Sequence, residues 1–302
     1  MEMVSSKILF RVAELYEEEV EALQELEDIT KEKFFKRDPK IGAPKLTFKH
    51  SKGHIIDLEL YSCDLAELPE CIKTFSHLKN LDGRNNKFKE LPSFLGRLTR
   101  LRELNFMGNK IESISENFRN LKNLEVLQFA YNDLKEIPHF FGELSNLRIL
   151  ELSNNNIKDI PKSIKNLQKL EDLGLEDNEF NTLSPTIGKL SNLKELRLSD
   201  NNLTSLPEEI GDLKNLEQLW LVRNNLKELP PTIGNLSRLK LLNLGGNHLE
   251  TVPKTIKNLS SLEYFNINKN NIKEIPDWLR KFLSKNLEKR YHQMVWSKDG
   301  HY

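Results

Sequence analysis

The sequence has few of the features that mark several common protein classes. Its 302 residues include only two cysteines, Cys63 and Cys71, so a disulfide framework of the kind that braces small secreted domains is excluded. Residues 1–30 lack the apolar core of a signal peptide, and no apolar run approaches the roughly 18 residues of a membrane-spanning helix. We therefore expect a protein of the reducing cytoplasm that does not span a membrane.

The sequence also carries no excess of either charge. Lys+Arg and Asp+Glu each number 45, which gives a formal net charge of +0 at pH 7. A neutral chain lacks the long-range positive field that draws proteins to DNA or RNA whatever the base sequence. We therefore expect no nucleic-acid partner.

Patterns for catalysis are missing as well. The seven histidines have no spacing typical of metal ligands, and neither of the common glycine-rich phosphate loops occurs. Cys63 falls where a buried structural thiol is expected rather than a nucleophile. The sequence thus predicts a protein that is not an enzyme, with no catalytic residues, no cofactor and no metal.

The sequence does contain a repeat of 23 residues. The same apolar frame, LxxLxLxxNxLxxLPxxIxxLxx, recurs around asparagines that are each 23 residues apart. These are Asn86, Asn109, Asn132, Asn155, Asn178, Asn201, Asn224, Asn247 and Asn270. One more copy starts at Ile55, with Cys63 in place of the asparagine, so ten repeats occupy about residues 55–284.

The physical chemistry of the unit predicts how each repeat folds. Apolar positions 4 and 6 alternate with polar ones, which predicts a short strand with one buried face. The asparagine at position 9 offers both a donor and an acceptor, so it can pair the backbone where the chain turns and bridge its own repeat to the next. Proline at position 15 is excluded from a sheet ladder and marks the return segment.

This period and spacing resemble leucine-rich repeats. The LPxxIxxL form, seen for example at residues 206–213, is similar to the intracellular class of Ras-suppressor and Sur-8 scaffold proteins. The resemblance implies an α/β fold, a curved, horseshoe-shaped solenoid with a parallel sheet on its concave face and helical caps at both ends. It also implies a protein-binding scaffold, with a small GTPase or its regulator among the candidate partners. The cysteine-paired caps of extracellular members are missing.

The ends of the chain are predicted to cap the repeats. Residues 1–54 are expected to form a helix over residues 1–36, then a strand at residues 45–49 that pairs with residues 55–60 and covers the open sheet edge. The acidic face of that helix is either a solvated surface or a docking arm for a basic partner. A second helix is predicted over residues 277–296, with its end and a tail in residues 285–302. It is basic and either caps the last repeat or contacts an anionic membrane.

Positions 3, 5, 7 and 8 of each repeat are predicted to face solvent, and three groups of them are candidates for binding a partner protein. The first combines aromatic, apolar and basic residues, which often anchor interfaces: Arg197, Trp220, Val222, Arg223, Leu241 and Tyr264. The second is an acidic band: Glu151, Asp172, Glu176, Asp177, Glu195 and Asp200. The third is apolar: Met107, Val126, Tyr131 and Ile149.

Two alternatives stay open from the sequence. Trp220 could stack on Arg197 as a surface pair with no role in binding. The whole protein could instead be a structural or adhesion protein that self-associates through its caps.

Overall fold

The computed structural model describes residues 7–10, 13–34 and 45–287, and the chain comprises two compact units, Met1–Leu134 and Lys135–Tyr302. In the first unit the strands and the helix are β1 (Lys7–Phe10), β2 (Ala13–Tyr16), α1 (Glu17–Thr30), β3 (Leu46–Ser51), β4 (His54–Leu60), β5 (Asn80–Asp82), β6 (Glu103–Asn105) and β7 (Val126–Gln128). In the second they are β8 (Ile149–Glu151), β9 (Asp172–Gly174), β10 (Glu195–Arg197), β11 (Gln218–Trp220), β12 (Leu241–Asn243), β13 (Tyr264–Asn266) and α2 (Asp277–Leu287).

The prediction of one helix over residues 1–36 is wrong for its first part. Strands β1 and β2 pair as an antiparallel hairpin, and α1 begins only at Glu17. In β2, Ala13 and Leu15 are buried while Glu14 is exposed, which is the alternation of a strand. The amide of Tyr16 also donates to the Gly53 carbonyl at 3.2 Å. These partners are distant in sequence, so the helical stripe alone could not reveal them.

Helix α1 covers the start of the repeats. It buries Val20, Ala22, Leu23 and Leu26, which recur at helical spacing, and it packs on the first turn of the repeats at Glu70–Thr74. Burying a leucine side chain contributes roughly 2 kcal/mol, so this apolar stripe holds the helix in place. The helix ends at Thr30, and the next residue, Lys31, has a left-handed φ of 58°.

The predicted hairpin over the sheet edge is confirmed. Strand β3 runs antiparallel to β4, and the turn between them places both Lys52 and Gly53 at positive φ, 54° and 90°. Two consecutive left-handed residues make the turn whose twist matches that of a hairpin. The hairpin gives the edge of β4 an antiparallel partner within the chain.

Each of the first nine repeats contributes one short strand and one return turn, as predicted, and the tenth contributes β13 followed by α2. In the first unit β4 to β7 are parallel neighbours, and in the second β8 to β13 are, each shifted by 23 residues from the one before. The return segments are 3-10 helices of five residues: Glu70–Thr74, Ser93–Arg97, Glu116–Asn120, His139–Glu143, Lys162–Asn166, Pro185–Lys189, Glu208–Asp212, Pro231–Asn235 and Lys254–Asn258. Within each unit this is the predicted α/β leucine-rich-repeat solenoid.

The asparagine column is buried and bridges neighbouring repeats. Asn201, 6% exposed, donates from Nδ2 to the carbonyls of Leu198 in its own repeat and Leu175 in the preceding one, at 3.1 and 2.9 Å. Its Oδ1 accepts from the amide of Phe180 at 3.1 Å. The direction of the bridge corrects the prediction, because each asparagine reaches back to the preceding repeat and not forward to the next.

The residue before each asparagine, and Ser62 before Cys63, turns the corner in a left-handed conformation. All ten residues at position 8 have φ between 52° and 69°: Ser62, Asn85, Gly108, Tyr131, Asn154, Asp177, Asp200, Arg223, Gly246 and Lys269. Non-glycine residues adopt this region only when surrounding contacts hold them there, and here the asparagine bridge does so. The corner therefore sets the direction of four predicted binding residues.

The C-terminal helix begins where it was predicted. Helix α2 runs over Asp277–Leu287 and buries Leu279 and Phe282. The ring of Trp278 lies 5.2 Å below the Lys257 ammonium, a cation–π contact to the last return turn. The predicted continuation to Trp296 and the tail lie outside the described residues.

Candidate functional site

The exposed sheet face of the second unit brings most of the predicted binding residues into register. Arg197 is the direct cross-strand neighbour of Gly174 on one side and of Trp220 on the other. Leu241 pairs with Gln218 on one side and with Tyr264 on the other. The side chains at position 3 thus form one row across the strands and those at position 5 form a second row. Within each row, neighbouring side chains are about 4.8 Å apart, the spacing between strands.

Four carboxylates surround the guanidinium of Arg197. Its Nη2 lies 2.6 Å from Glu151 Oε2 and 3.0 Å from Asp172 Oδ1, and its Nη1 lies 2.7 Å from Glu195 Oε1. Glu176 Oε2 is farther, 3.9 Å from Nε. We call Arg197 and these four carboxylates the acidic cluster. One cation against four anions leaves a charge of −3 when all are ionised.

Gly174 makes the contact between Arg197 and Glu151 possible. Glu151 and Arg197 stand two repeats apart, with Gly174 between them in the same row. A Cβ at residue 174 would lie 2.2 Å from Glu151 Oε2 and 2.5 Å from its Cδ, closer than any real contact. The missing side chain leaves the space in which the two charged groups meet.

The protonation equilibria of the acidic cluster reflect its burial. Burial raises the pKa of Asp172 and of Glu176, and attraction to Arg197 offsets this only in part. Burial alone would lower the pKa of Arg197, but the hydrogen bond to Glu195 and attraction to Asp172 and Glu151 raise it above its ordinary value. Arg197 is therefore a permanent cation.

One oxygen of the acidic cluster is incompletely satisfied. Asp172 Oδ1 is shielded from solvent and close to the Arg197 guanidinium, but the angle between them does not meet hydrogen-bond geometry. The distance supports attraction between the two charges, although this oxygen accepts no hydrogen bond of good geometry. Because the oxygen is shielded from solvent, it is not a contact point for a partner.

An apolar area adjoins the acidic cluster on its C-terminal side. Trp220, Leu241 and Tyr264 are each half-buried, and we call them the aromatic patch. The indole Nε1 of Trp220 donates to Gln218 Oε1 at 3.3 Å, which fixes the ring on its own strand. Trp220 is thus neither sealed in the core nor fully exposed, and it remains available as part of a contact surface.

Val222 and Arg223 form the corner beside the aromatic patch. Val222 is half-buried, and the exposed Arg223 makes an ion pair with Asp200 of the preceding repeat. Asp177 is exposed at the same corner position one repeat earlier than Asp200. The edge of the sheet face therefore carries an exposed cation, Arg223, and an exposed anion, Asp177.

The predicted residues of the first unit form a separate group. Tyr131 is 58% exposed in the left-handed corner position, and Met107 is half-buried. The strand face of this unit also forms a polar hollow, where Lys49 pairs with Asp57 at 2.6 Å and Arg84 with Asp82 at 2.6 Å, and which Glu59 and Glu103 also line. We place the main candidate site in the second unit, because there a group of carboxylates lies beside half-buried aromatic side chains.

The sequence predicts that these residues lie on one face, but it does not predict their pairing. The sequence groups Arg197 with Trp220, whereas the structure places the Arg197 guanidinium among the carboxylates of the acidic band. The available signal was Gly174, the only residue of its row without a side chain in the second unit. A gap in an outward-facing row indicates that longer side chains on both sides can meet across it.

The two thiols do not add reactive chemistry. Cys63 and Cys71 are both buried and unpaired. Burial raises the pKa of Cys63 to about 11 and that of Cys71 to about 12. The prediction of a buried structural thiol at residue 63 is confirmed. Within the described part of the chain, neither helix has the length and apolar character needed to cross a bilayer.

Comparison with known proteins extends these observations. A family profile described as "Leucine-rich repeat region" matches residues 53–149, 93–182 and 184–281. No curated protein matches the chain in sequence. Among solved structures, a leucine-rich-repeat protein of Leptospira interrogans is 34% identical, with a TM-score of 0.72, over 76% of this chain and 58% of that one.

Two further similar structures contain bound peptides or proteins. The ectodomain of the Arabidopsis thaliana receptor kinase GASSHO1/SCHENGEN3, in complex with CASPARIAN STRIP INTEGRITY FACTOR 2, is 28% identical with a TM-score of 0.70, over 85% of this chain and 34% of that one. The plant peptide hormone receptor RGFR1, in complex with RGF2, is 28% identical with a TM-score of 0.59, over 68% of this chain and 38% of that one. The chain thus spans less than two thirds of the length of each of these three proteins.

Proposed function

The chain belongs to the leucine-rich repeat family, and from this premise we propose that it is a non-catalytic scaffold that binds a partner protein or peptide on the exposed sheet face of its second unit. The acidic cluster carries the proposal, because it holds a residual charge of −3 on rigid neighbouring strands beside the aromatic patch. A preorganised charge next to half-buried aromatic side chains is a combination typical of interface anchors.

The geometry also supports a proposal for the chemistry of the partner. A lysine or arginine of the partner would pair with the carboxylates that Arg197 leaves under-neutralised. An apolar or aromatic residue next to it would cover Trp220 and Leu241 and remove their exposed area from water. We therefore propose a partner segment that combines a basic residue with an adjacent apolar one.

Support from the comparisons is by analogy. The two plant receptors named above were solved with their ligands bound, and both share the repeat fold with this chain. A small GTPase or its regulator, which the LPxxIxxL motif implies, is one partner to test, and it rests on that motif alone. We also propose a cytoplasmic location, which the scarcity of cysteine in the sequence supports.

The test compares binding by matched variants. Full-length protein is immobilised and used to select binders from a random peptide library, and the selected peptides are measured against Trp220→Ala, Glu195→Gln and the exposed control Lys227→Ala. We expect basic residues beside apolar ones among the binders, about tenfold weaker binding to the first two variants, and no change for the control. Equal binding to all four proteins would overturn the proposal.

A second measurement identifies natural partners. Affinity capture with mass spectrometry is run in parallel with wild type, Trp220→Ala, Arg223→Ala and Lys227→Ala. Proteins that depend on Trp220 and Arg223 but not on Lys227 are the expected partners. The alternative of self-association through the caps is removed if sedimentation shows a strict monomer at high micromolar concentration.

A further inference from the structure

Three groups able to bind a metal meet where helix α1 packs on the first repeat. Glu19 comes from α1, His54 from the start of β4, and His77 from the loop before β5. One ligand atom from each of the three side chains lies within 4.8 Å of the other two. The three residues have no regular spacing in sequence, so only the folded cap brings them together.

Glu19 is fixed in position and almost completely buried. Its side chain is 1% exposed, and Oε2 accepts a hydrogen bond from the Ile55 amide at 2.7 Å. Its other oxygen, Oε1, lies 3.1 Å from Nδ1 of His54. A carboxylate placed in this way has one oxygen held by the backbone and one directed at the imidazoles, and a buried carboxylate needs a compensating positive charge.

The two histidines are held in parallel beside this carboxylate. The rings of His54 and His77 are stacked, with centroids 3.6 Å apart and an interplanar angle of 15°, and Tyr16 stacks on His54 at 4.4 Å. Nδ1 of His77 lies 3.3 Å from Ser76 Oγ. The serine contact occupies Nδ1 of His77, so Nε2 is the nitrogen of this ring that can act as a ligand.

The distances fit a tetrahedral cation site after a small adjustment. Zinc binds imidazole nitrogen and carboxylate oxygen at about 2.0–2.2 Å, so the edges of its tetrahedron are about 3.3–3.6 Å. The separation of 3.1 Å between Glu19 Oε1 and His54 Nδ1 is close to one such edge. The His77 ring has to rotate out of its stack on His54 for its lone pair to face the same cation. His54 and His77 are both partly exposed, so water can enter and fill the fourth position.

We propose that Glu19, His54 and His77 form a zinc site that clamps the N-terminal cap onto the first repeat. Two imidazoles with one carboxylate favour zinc over magnesium or calcium, which prefer ligand sets made only of oxygen. The bound ion would join α1 to β4 and to the first return loop, three segments that otherwise meet through packing and a few hydrogen bonds. This site is independent of the binding face proposed in the second unit.

The test uses full-length protein freed of metal with a chelator. Calorimetric titration with zinc chloride is compared among wild type, Glu19→Gln, His77→Ala and the exposed control His248→Ala, with magnesium chloride as the contrasting ion. We expect one zinc per chain, binding weakened about tenfold or more in the first two variants, unchanged binding in the control, and no magnesium binding. Zinc affinity that is the same in His77→Ala and in the wild type would overturn the proposal.

A spectroscopic readout distinguishes the proposed ligands from the other five histidines. In NMR spectra of the imidazole protons, one equivalent of zinc should shift or broaden the signals of His54 and His77 only. His77→Ala removes the effect on His54 if the site is shared, even where the variant retains the fold. Shifts confined to other histidines would show that zinc binds elsewhere and would reject the assignment.

Discussion

Arg197 and Glu151 form an ion pair across two repeats, with Nη2 and Oε2 separated by 2.6 Å, although the residues are 46 positions apart in sequence. The pair is partly buried, with 19% and 14% of the two side chains exposed. It joins three successive strands of the second unit through a single contact. The contact exists because Gly174 contributes no side chain to the row between them.

Substitution of Gly174 by alanine should therefore destabilise the protein through a collision with one identified side chain. The three heavy atoms nearest the added Cβ all belong to the Glu151 carboxyl group, which has to move away from Arg197, so we expect a loss of about 1 kcal/mol or less in the free energy of unfolding. Urea denaturation measures the effect. In a Glu151→Ala background the same substitution should cost much less, and equal costs in both backgrounds would contradict the assigned contact.

The asparagine column predicts a sharp difference between two adjacent residues. Asn201→Ala removes the donor to two buried carbonyls and the acceptor for the Phe180 amide, so it should cost on the order of 1–3 kcal/mol. Asn202 is exposed, and Asn202→Ala should be close to neutral. Thermal unfolding of both variants checks the prediction, which fails if their melting temperatures agree.

The acidic cluster gives the stability of the protein a defined pH dependence. A carboxyl whose folded-state pKa is raised contributes stability that is complete below its unfolded pKa and is lost as pH rises through the folded value. For Asp172 this stability is lost over a pH range that begins at its ordinary pKa of 3.8 and ends at its raised pKa in the folded protein. Asp172→Asn should therefore increase stability at pH 7, by on the order of 1 kcal/mol or less.

The same linkage defines the control for this variant. The gain should disappear below about pH 3.8, where Asp172 is protonated in both the folded and the unfolded chain. Asp177→Asn, at an exposed corner, serves as the matched substitution of the same type. Urea denaturation across the pH range measures both, and a gain that persists undiminished in acid would argue against titration of Asp172 as its source.

The thiols should be unreactive until the protein unfolds. With pKa values raised to about 11 and about 12, Cys63 and Cys71 hold almost no thiolate at pH 8. Iodoacetamide should label native protein slowly and label protein in concentrated urea quickly at both positions, as mass spectrometry would show. Rapid labelling of the native chain would place these cysteines in a more open or more polar environment than the one described.

The repeat frame was predictable because it depends on local chemistry. Asn201 and its equivalents, the prolines before the return turns and the hairpin from residue 45 to residue 60 follow from hydrogen-bonding capacity and strand alternation within short segments. Gly83 stands at position 6 of its repeat, where the frame has an apolar residue, and the ring of Phe106 in the next repeat fills the space that a Cβ at residue 83 would occupy. The repeat frame therefore tolerates a small residue in one repeat when a larger residue in the neighbouring repeat fills the space.

The remaining features depend on where separate segments meet. The segment with Ala13 and Leu15 satisfies both a helical and a strand pattern, and its pairing with β1 decides between them. Arg197 was placed in the correct row, but its choice of Glu151 over Trp220 depends on rotamers and on an empty neighbouring position. The juxtaposition of Glu19 with His54 requires the angle at which α1 crosses the first repeat, which no short segment encodes.

Because each asparagine bridge reaches back to the preceding repeat, the two ends of the array should differ in how well they tolerate the loss or gain of repeats. Asn224 depends on Leu198 and Leu203 of the repeat before it, while nothing in its own side chain requires the repeat that follows. Loss of whole repeats from the C-terminal side would leave every remaining carboxamide fully bonded. Loss of repeats from the N-terminal side would leave the first remaining asparagine without its partners in the preceding repeat. Duplication or deletion of repeats should therefore be tolerated better near the C-terminus.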